Sequence, residues 1–149
     1  LFLRSEKMHS IKFRGKSIDT DGWVYGDYST SIENGDNGGI EVYYEETNTV
    51  LTYINSQLVY PETVGQYTGL KDRNGKDIYE GDIVNVSKEY GGNAYIPLVV
   101  DFKDGCFILR NANYMDSYIL ITEVDFKQVY EIIGNIYDNT ELLKEINNK

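Results

Sequence analysis

The fold is decided near the middle of the chain by one short stretch, Glu80-Gly81-Asp82-Ile83-Val84. Its glycine permits a sharp bend where any other residue would clash or adopt an unfavourable φ, which suits the position before a strand. The Asp82 carboxylate can then accept a backbone hydrogen bond at the turn. Ile83 and Val84 follow on opposite faces of the pleated backbone. The stretch therefore predicts the start of a β-strand, and its role is structural, not catalytic.

Downstream of this stretch, short apolar runs alternate with turn residues. Asp104-Gly105 separates two such runs and predicts a hairpin, and Asn74-Gly75 predicts another one earlier in the chain. Asn139 is a suitable N-cap for a short helix over residues 140–146, whose apolar side chains would dock on the strands. About five short strands at regular spacing are typical of a small barrel or sandwich. The strands that we predict here cover residues 83–86, 97–102, 106–110, 118–122 and 129–136.

The first half of the chain also has the alternation and the turns of a β protein. Asp19-Thr20-Asp21-Gly22 predicts a turn between two strands, and Pro61 suits the first position of a single helical turn. A loop rich in Gly and Asn is expected before a further hairpin. The elements that we predict here are strands at 11–14 and 23–28, a loop at 31–39, and a hairpin that pairs 40–45 with 50–54.

Charge is distributed unevenly along the chain. The 149 residues include 14 basic and 24 acidic side chains, which gives a formal net charge of −10. Residues 17–70 contain nine acids and no Lys or Arg, and such a field disfavours nonspecific binding to a phosphate backbone. This acidic segment favours either plain solubility or attraction of a basic partner.

The length and the cysteine content limit the class of protein. A chain of 149 residues suits one compact domain or two small subdomains that share a core. The single cysteine permits no intrachain disulfide and fits a reducing cytosol. No apolar run approaches the roughly 20 residues that span a bilayer, so we expect no membrane partner. Met8 is a candidate start, and residues 1–7 are therefore kept out of the fold prediction.

A longer segment around the central stretch has a specific sequence. It consists of the run Pro61-Glu62-Thr63-Val64-Gly65-Gln66-Tyr67-Thr68-Gly69-Leu70-Lys71-Asp72, then Asn74-Gly75-Lys76, then Ile78-Tyr79-Glu80-Gly81-Asp82-Ile83-Val84. This segment resembles the YopX-like family of bacteriophage and prophage proteins. The resemblance extends towards the N-terminus through Ile11-Lys12-Phe13-Arg14-Gly15-Lys16 and Trp23-Val24-Tyr25-Gly26, and towards the C-terminus through Ile133-Gly134-Asn135-Ile136-Tyr137. It covers nearly the whole chain, and its central run is specific.

The resemblance implies a mainly β fold in one compact unit. We expect a complex N-terminal β meander over residues 8–66, and an SH3-like β-barrel with a short C-terminal helix over residues 67–149. The resemblance also implies a phage-encoded accessory protein that acts in the cytoplasm of a bacterial host. The family has no established biochemical role and supplies no catalytic residues to carry over.

A first candidate binding surface is the alternation of Lys12, Arg14 and Lys16 along the first predicted strand. These side chains would share one face and form a row about 13 Å long, at about 3.3 Å per residue. Such a row can follow a phosphate backbone, with Trp23, Tyr25 and Tyr28 nearby as stacking surfaces. The structural alternative, which we favour, is an edge strand whose positive charges block edge-to-edge pairing.

A second candidate surface consists of two tyrosine-rich segments between predicted strands. Tyrosine provides a large contact area at a low entropic cost, and Gly and Asn adapt around it, as in many binding loops. The alternative is a pair of ordinary connections whose tyrosines pack on the rim of the barrel. The candidate protein-binding residues are Tyr90, Gly91, Gly92, Asn93, Tyr95, Tyr114 and Tyr118.

The sequence lacks the patterns that catalysis and metal binding require. His9 is the only histidine, so no Ser-His or Cys-His pair can form within the body of the fold. Cys106 follows a turn glycine at the start of an apolar strand, which predicts a buried structural thiol. No calcium-loop or phosphate-loop pattern occurs. We therefore predict a non-enzymatic protein without a cofactor or metal, whose partner is a protein more readily than a nucleic acid.

Overall fold

The computed structural model describes residues 10–33, 49–86, 97–111, 118–120 and 129–143. The chain divides into two compact units, one of Lys12–Gly65 and one of Gln66–Lys149 together with Leu1–Ile11. Within the described residues, both units consist of antiparallel β-strands and short 3-10 helices. The mainly β fold class that the sequence predicts is therefore confirmed, whereas the SH3-like form of the barrel stays a prediction.

The unit Lys12–Gly65 consists of short strands joined by tight turns. Its described elements are β1 (Phe13–Lys16), β2 (Trp23–Gly26), β3 (Tyr28–Glu33), β4 (Thr49–Ile54), β5 (Gln57–Leu58) and a 3-10 helix at Pro61–Thr63. β1 pairs with β2, and β4 pairs with β3 on one side and β5 on the other. The helical turn that Pro61 predicts is thus present as a 3-10 helix.

Two glycines and one threonine allow close packing within this unit. A Cβ on Gly15 would lie 3.1 Å from the Cβ of Val59, so the backbone of β1 approaches that side chain directly. Gly26 has a φ of +147°, and a Cβ there would lie 2.9 Å from the Cβ of Asn55. The Thr63 hydroxyl accepts a hydrogen bond from the Lys16 backbone nitrogen at 2.8 Å, which ties the 3-10 helix to β1.

Residues 31–33 of the predicted loop at 31–39 form a strand, and residues 34–39 lie outside the described residues. Residues 31–33 continue β3, where Ser31 pairs with Leu51 and Glu33 pairs with Thr49. Serine-rich sequence looks loop-like, but the backbone ladder to β4 holds it in an extended conformation. The predicted strand at 40–45 lies outside the described residues, and β3 is the long partner that the structure gives to β4.

The second unit contains a hairpin and a five-stranded antiparallel sheet. Its described elements are β6 (Gly65–Lys71, which begins at the last residue of the first unit), β7 (Asp77–Tyr79), β8 (Asp82–Val86), β9 (Leu98–Lys103), β10 (Cys106–Asn111), β11 (Tyr118–Leu120), β12 (Tyr130–Asn135) and a 3-10 helix at Thr140–Leu143. β6 and β7 form the hairpin that Asn74-Gly75 predicts. The larger sheet has the order β11-β10-β9-β8-β12.

Both faces of the five-stranded sheet are buried near its centre. The register places Val100 and Leu109 opposite each other on one face, within a buried cluster that also includes Ile78 and Tyr130. The other face buries the side chains Ile83, Val99 and Ile108. Because successive residues of a strand alternate between faces, the continuous apolar runs of β8 and β9 supply buried side chains to both faces of the sheet.

The central stretch forms a tight corner between β7 and β8. Gly81 has a φ of +83°, a left-handed conformation that favours glycine. Its nitrogen donates to the Val100 carbonyl oxygen at 2.8 Å, and its own carbonyl accepts from the Ile136 nitrogen at 2.9 Å. The Asp82 Oδ2 atom accepts a hydrogen bond from the Tyr79 nitrogen at 2.8 Å. The roles predicted for the glycine and the aspartate are confirmed.

The C-terminal helix differs from the prediction. Its described part is a 3-10 helix at Thr140–Leu143, and residues 144–146 lie outside the described residues. The Asn139 side chain points back towards β12, where its Oδ1 atom accepts a hydrogen bond from the Asn135 nitrogen at 3.1 Å. It fills the space above Gly134, because a Cβ there would lie 2.5 Å from that oxygen.

The predicted burial of Cys106 is wrong. The residue is half-buried, and its thiol donates a hydrogen bond to the Lys103 carbonyl oxygen at 3.3 Å. The reason lies in its position, because β10 begins directly after the Asp104-Gly105 turn, where the hairpin is exposed.

Candidate binding surfaces

Four neighbouring strands of the five-stranded sheet, β8 to β11, begin or end side by side at one end of the sheet. β9 begins at Leu98, which pairs with Asn111 at the end of β10. β11 begins at Tyr118, beside the same end of β10. β8 ends at Val86, opposite the first residue of β12. We call this end of the sheet, where these strands begin or end at Val86, Leu98, Asn111 and Tyr118, the loop edge.

Apart from Tyr118, the tyrosine-rich candidates belong to two segments whose flanking strands end and begin at the loop edge. Residues 87–96, followed by Pro97, connect Val86 to Leu98, and residues 112–117 connect Asn111 to Tyr118. The structure thus brings together the attachment points of both segments. Tyr118 is described as the first residue of β11, and the other candidates lie outside the described residues: Tyr90, Gly91, Gly92, Asn93, Tyr95 and Tyr114.

The basic candidates lie on or beside one face of the β1–β2 hairpin. The register pairs Arg14 with Tyr25 and Lys16 with Trp23, so these four side chains share a face. Arg14 is only 5% exposed, and its guanidinium carbon lies 4.6 Å from the centroid of the Trp23 ring. This stacking is a cation–π contact, so the charged group of Arg14 interacts with a ring of its own unit.

The two lysines of the row are also partly buried. The Lys16 Nζ atom lies 3.3 Å from Oδ1 of Asp21 in the turn between β1 and β2. Lys12 precedes β1 and is half-buried. The nucleic-acid interpretation stays a prediction, and any such interface would depend mainly on the two lysines, because Arg14 is covered.

An exposed aromatic pair is a surface that sequence reasoning missed. Phe102 of β9 and Phe107 of β10 lie opposite each other, with ring centroids 5.1 Å apart, and Phe102 is 47% exposed. They occupy the same sheet face as Val100 and Leu109, which are each 1% exposed. The period-two pattern identifies these rings as core-facing, but it does not show that the hairpin extends beyond the core.

One group of charged side chains surrounds the corner between β7 and β8. Burial raises the pKa of Glu80 above its usual value; a backbone hydrogen bond with Gln66 opposes this shift, and the negative charge of Asp101 adds to it. The Asp101 Oδ2 atom accepts a hydrogen bond from Nε of Arg110 at 2.9 Å. In the described part of the chain, no three His, Cys, Asp or Glu side chains are grouped so that they could hold a metal ion.

Two comparisons place the fold and the sequence among known proteins. The crystal structure of protein EF1440 from Enterococcus faecalis is similar over 90% of this chain and 98% of that chain, with a TM-score of 0.52 and 23% sequence identity. This likeness concerns the fold alone. No match was found among curated proteins. Across the described residues, no helix has the length and apolar character that a membrane crossing requires.

The sequence itself matches a family model. The model described as YopX protein covers residues 12–144, which include the whole unit Lys12–Gly65, most of the other unit and the central stretch that carries the resemblance. Because the match extends over most of the chain, the resemblance is confirmed, and the chain belongs to the YopX family.

Proposed function

We propose that this chain is a non-enzymatic accessory protein that binds another protein at the loop edge. The observation that supports this proposal is the convergence of four strand ends there, at the attachment points of both tyrosine-rich segments. A rigid sheet that presents neighbouring loops from one edge is a common way to position binding residues. The buried residues on both faces of the sheet supply that rigidity.

The charge of the chain favours a protein partner over a nucleic acid. Residues 17–70 contain nine acids and no Lys or Arg, so this part of the chain repels a phosphate backbone and attracts basic groups. Membership of the YopX family supports a phage or prophage setting for the protein. The proposed place of action is the cytoplasm of a bacterial host.

The proposal is tested by capture from a bacterial lysate on three forms of the immobilised chain. The forms are the unmodified chain, the double variant Tyr90→Ala/Tyr95→Ala, and the control Tyr25→Ala, whose side chain is 50% exposed in the other unit. Bound proteins are identified by mass spectrometry. Circular dichroism confirms that all three forms are folded.

We expect the unmodified chain and the Tyr25→Ala control to enrich the same protein, and the double variant to lose it. Loss of two tyrosines from an interface commonly weakens binding by more than about 2 kcal/mol, which is enough to abolish capture. Equal capture by all three forms would contradict a binding role for the segment 87–96.

A second candidate function is weak association with a nucleic acid through the basic face of the β1–β2 hairpin. The observation that favours it is that Arg14, Lys16, Trp23 and Tyr25 share this face. Because Arg14 is buried, the informative variant is Lys12→Ala/Lys16→Ala, which leaves the Arg14–Trp23 stack intact. A salt-sensitive mobility shift that this variant abolishes would support the function, and the absence of any shift at low salt would exclude it.

A further inference from the structure

The turn between β6 and β7 exposes an Asn-Gly pair whose chemistry the binding proposal does not use. Asn74 and Gly75 are both exposed. Since glycine has no side chain, its backbone nitrogen can approach the side-chain amide carbon of the preceding asparagine more closely than that of any other residue. A Cβ placed on Gly75 would meet nothing within 4 Å, so no neighbouring residue shields this side of the turn.

Hydrogen bonds to one buried carboxylate hold this turn closed. Asp72 is 3% exposed, and its Oδ1 atom accepts from the nitrogens of Asn74 at 2.8 Å and Lys76 at 2.9 Å. Its Oδ2 atom accepts from the Ile132 nitrogen of β12 at 3.2 Å. The Asp72 carbonyl oxygen accepts from the Gly75 nitrogen at 3.0 Å. We call this set of bonds the Asp72 clamp.

We propose that Asn74 is a deamidation site whose reaction the Asp72 clamp restrains in the folded chain. The Gly75 nitrogen loses its proton and attacks the side-chain carbonyl carbon of Asn74. The bond from that carbon to the amide nitrogen breaks, and the nitrogen leaves as ammonia. Water then opens the five-membered imide at either carbonyl, which gives aspartate or isoaspartate at this position. Water is the only co-reactant, and no group is oxidised or reduced.

The product would disturb the contact between the turn and β12. The Asn74 Nδ2 atom donates a hydrogen bond to Oε1 of Glu131 at 3.3 Å. After deamidation this contact joins two carboxylates, which repel each other. Modification of Asn74 therefore records an opening of the turn and weakens its return to the closed form.

The test follows the conversion of Asn74 by peptide mass spectrometry in mildly alkaline buffer over several days. The full chain is compared in its native state and in urea. Gly75→Ala in urea is the chemical control, because its methyl group hinders the attack without changing Asn74. Asn34-Gly35 in the same chain provides a reference for the unfolded rate.

We expect Asn74 to convert in urea at a rate close to that of Asn34, and more than about tenfold more slowly in the native chain, since reaction requires local opening. Gly75→Ala should slow the conversion in urea. Equal rates in the native chain and in urea would overturn the role of the clamp, and a lack of conversion in urea would overturn the site itself.

A second measurement tests the consequence of the modification. Asn74→Asp, which reproduces the charge of the product, should unfold at a lower urea concentration than Asn74→Ser, which removes the amide without adding a charge. Adding Glu131→Gln to each Asn74 variant should remove most of the difference between their midpoints. Equal midpoints for the two Asn74 variants would contradict the proposed repulsion.

Discussion

Gly81 joins three parts of the second unit through its backbone alone. Its nitrogen bonds to Val100 of β9, its carbonyl oxygen bonds to the nitrogen of Ile136 after β12, and its φ of +83° sets the turn into β8. Asp82 completes the corner by accepting a hydrogen bond from the Tyr79 nitrogen. At the scale of single residues, this corner is the part of the fold that the sequence predicts most directly.

Gly81→Ala is therefore expected to destabilise the protein. A side chain at this left-handed φ costs about 1–2 kcal/mol, so the free energy of unfolding in urea should fall by that amount. Gly22→Ala is the matched control, because Gly22 is an exposed turn glycine whose φ lies outside the left-handed range. The control should change stability by less than about 0.5 kcal/mol. Equal losses for the two variants would contradict the role of Gly81.

Glu80 makes the stability of the protein depend on pH. Because burial raises its pKa in the folded state, the carboxyl group costs no stability at a pH where it is protonated in both states. The cost grows as the pH rises above the unfolded-state pKa, and it is complete once the pH exceeds the raised folded-state pKa. Glu80→Gln should therefore unfold at a higher temperature than the unmodified chain at neutral pH. The difference should shrink as the pH falls through the raised pKa towards the usual glutamate value of 4.5. A difference that is the same at every pH would contradict this explanation, and the exposed Glu62→Gln serves as the control.

Arg14 shows what the residue pattern cannot predict. The alternation of Lys12, Arg14 and Lys16 correctly places Arg14 and Lys16 on one face of β1. It does not predict that the Trp23 ring from the neighbouring strand lies against the Arg14 guanidinium and buries it. Which side of a strand is covered depends on contacts that are distant in sequence, and periodicity contains no information about them.

At the scale of secondary-structure elements, turns are predicted better than strand partners. Asp104-Gly105 has positive φ values of 52° and 84°, as a tight hairpin turn requires, and its local sequence is sufficient to predict it. β3 is different, because its serine- and threonine-rich sequence becomes a strand only through its ladder with β4. Local signals therefore identify the hairpins β6–β7 and β9–β10, whereas nonlocal pairing determines the length of β3.

Substitutions in the β9–β10 hairpin should lower the stability of the protein much more in its buried part than in its exposed part. Leu109→Ala removes a side chain that is 1% exposed and should lower the free energy of unfolding by about 2–5 kcal/mol. Phe102→Ala, at 47% exposure, should cost less than about 1.5 kcal/mol. Chemical denaturation of both variants checks the difference. A larger loss for Phe102→Ala would show that its ring belongs to the core.

At the scale of the whole molecule, the chain consists of two β units, and the second one contains the loop edge. The sequence predicts the β class, the family and the tyrosine-rich segments as binding candidates. It does not predict that both segments are attached at the same edge of one sheet. That result depends on the strand order β11-β10-β9-β8-β12, which arises from pairing across the chain.

Hydrogen–deuterium exchange, measured on the chain alone and in complex with its captured protein partner, tests the proposed binding surface most directly. Peptides that cover residues 87–96 and 112–117 should exchange more slowly in the complex, while the turn over residues 73–76 should exchange at the same rate in both samples. Slower exchange confined to the β1–β2 hairpin, with no change in the two segments at the loop edge, would contradict the proposal.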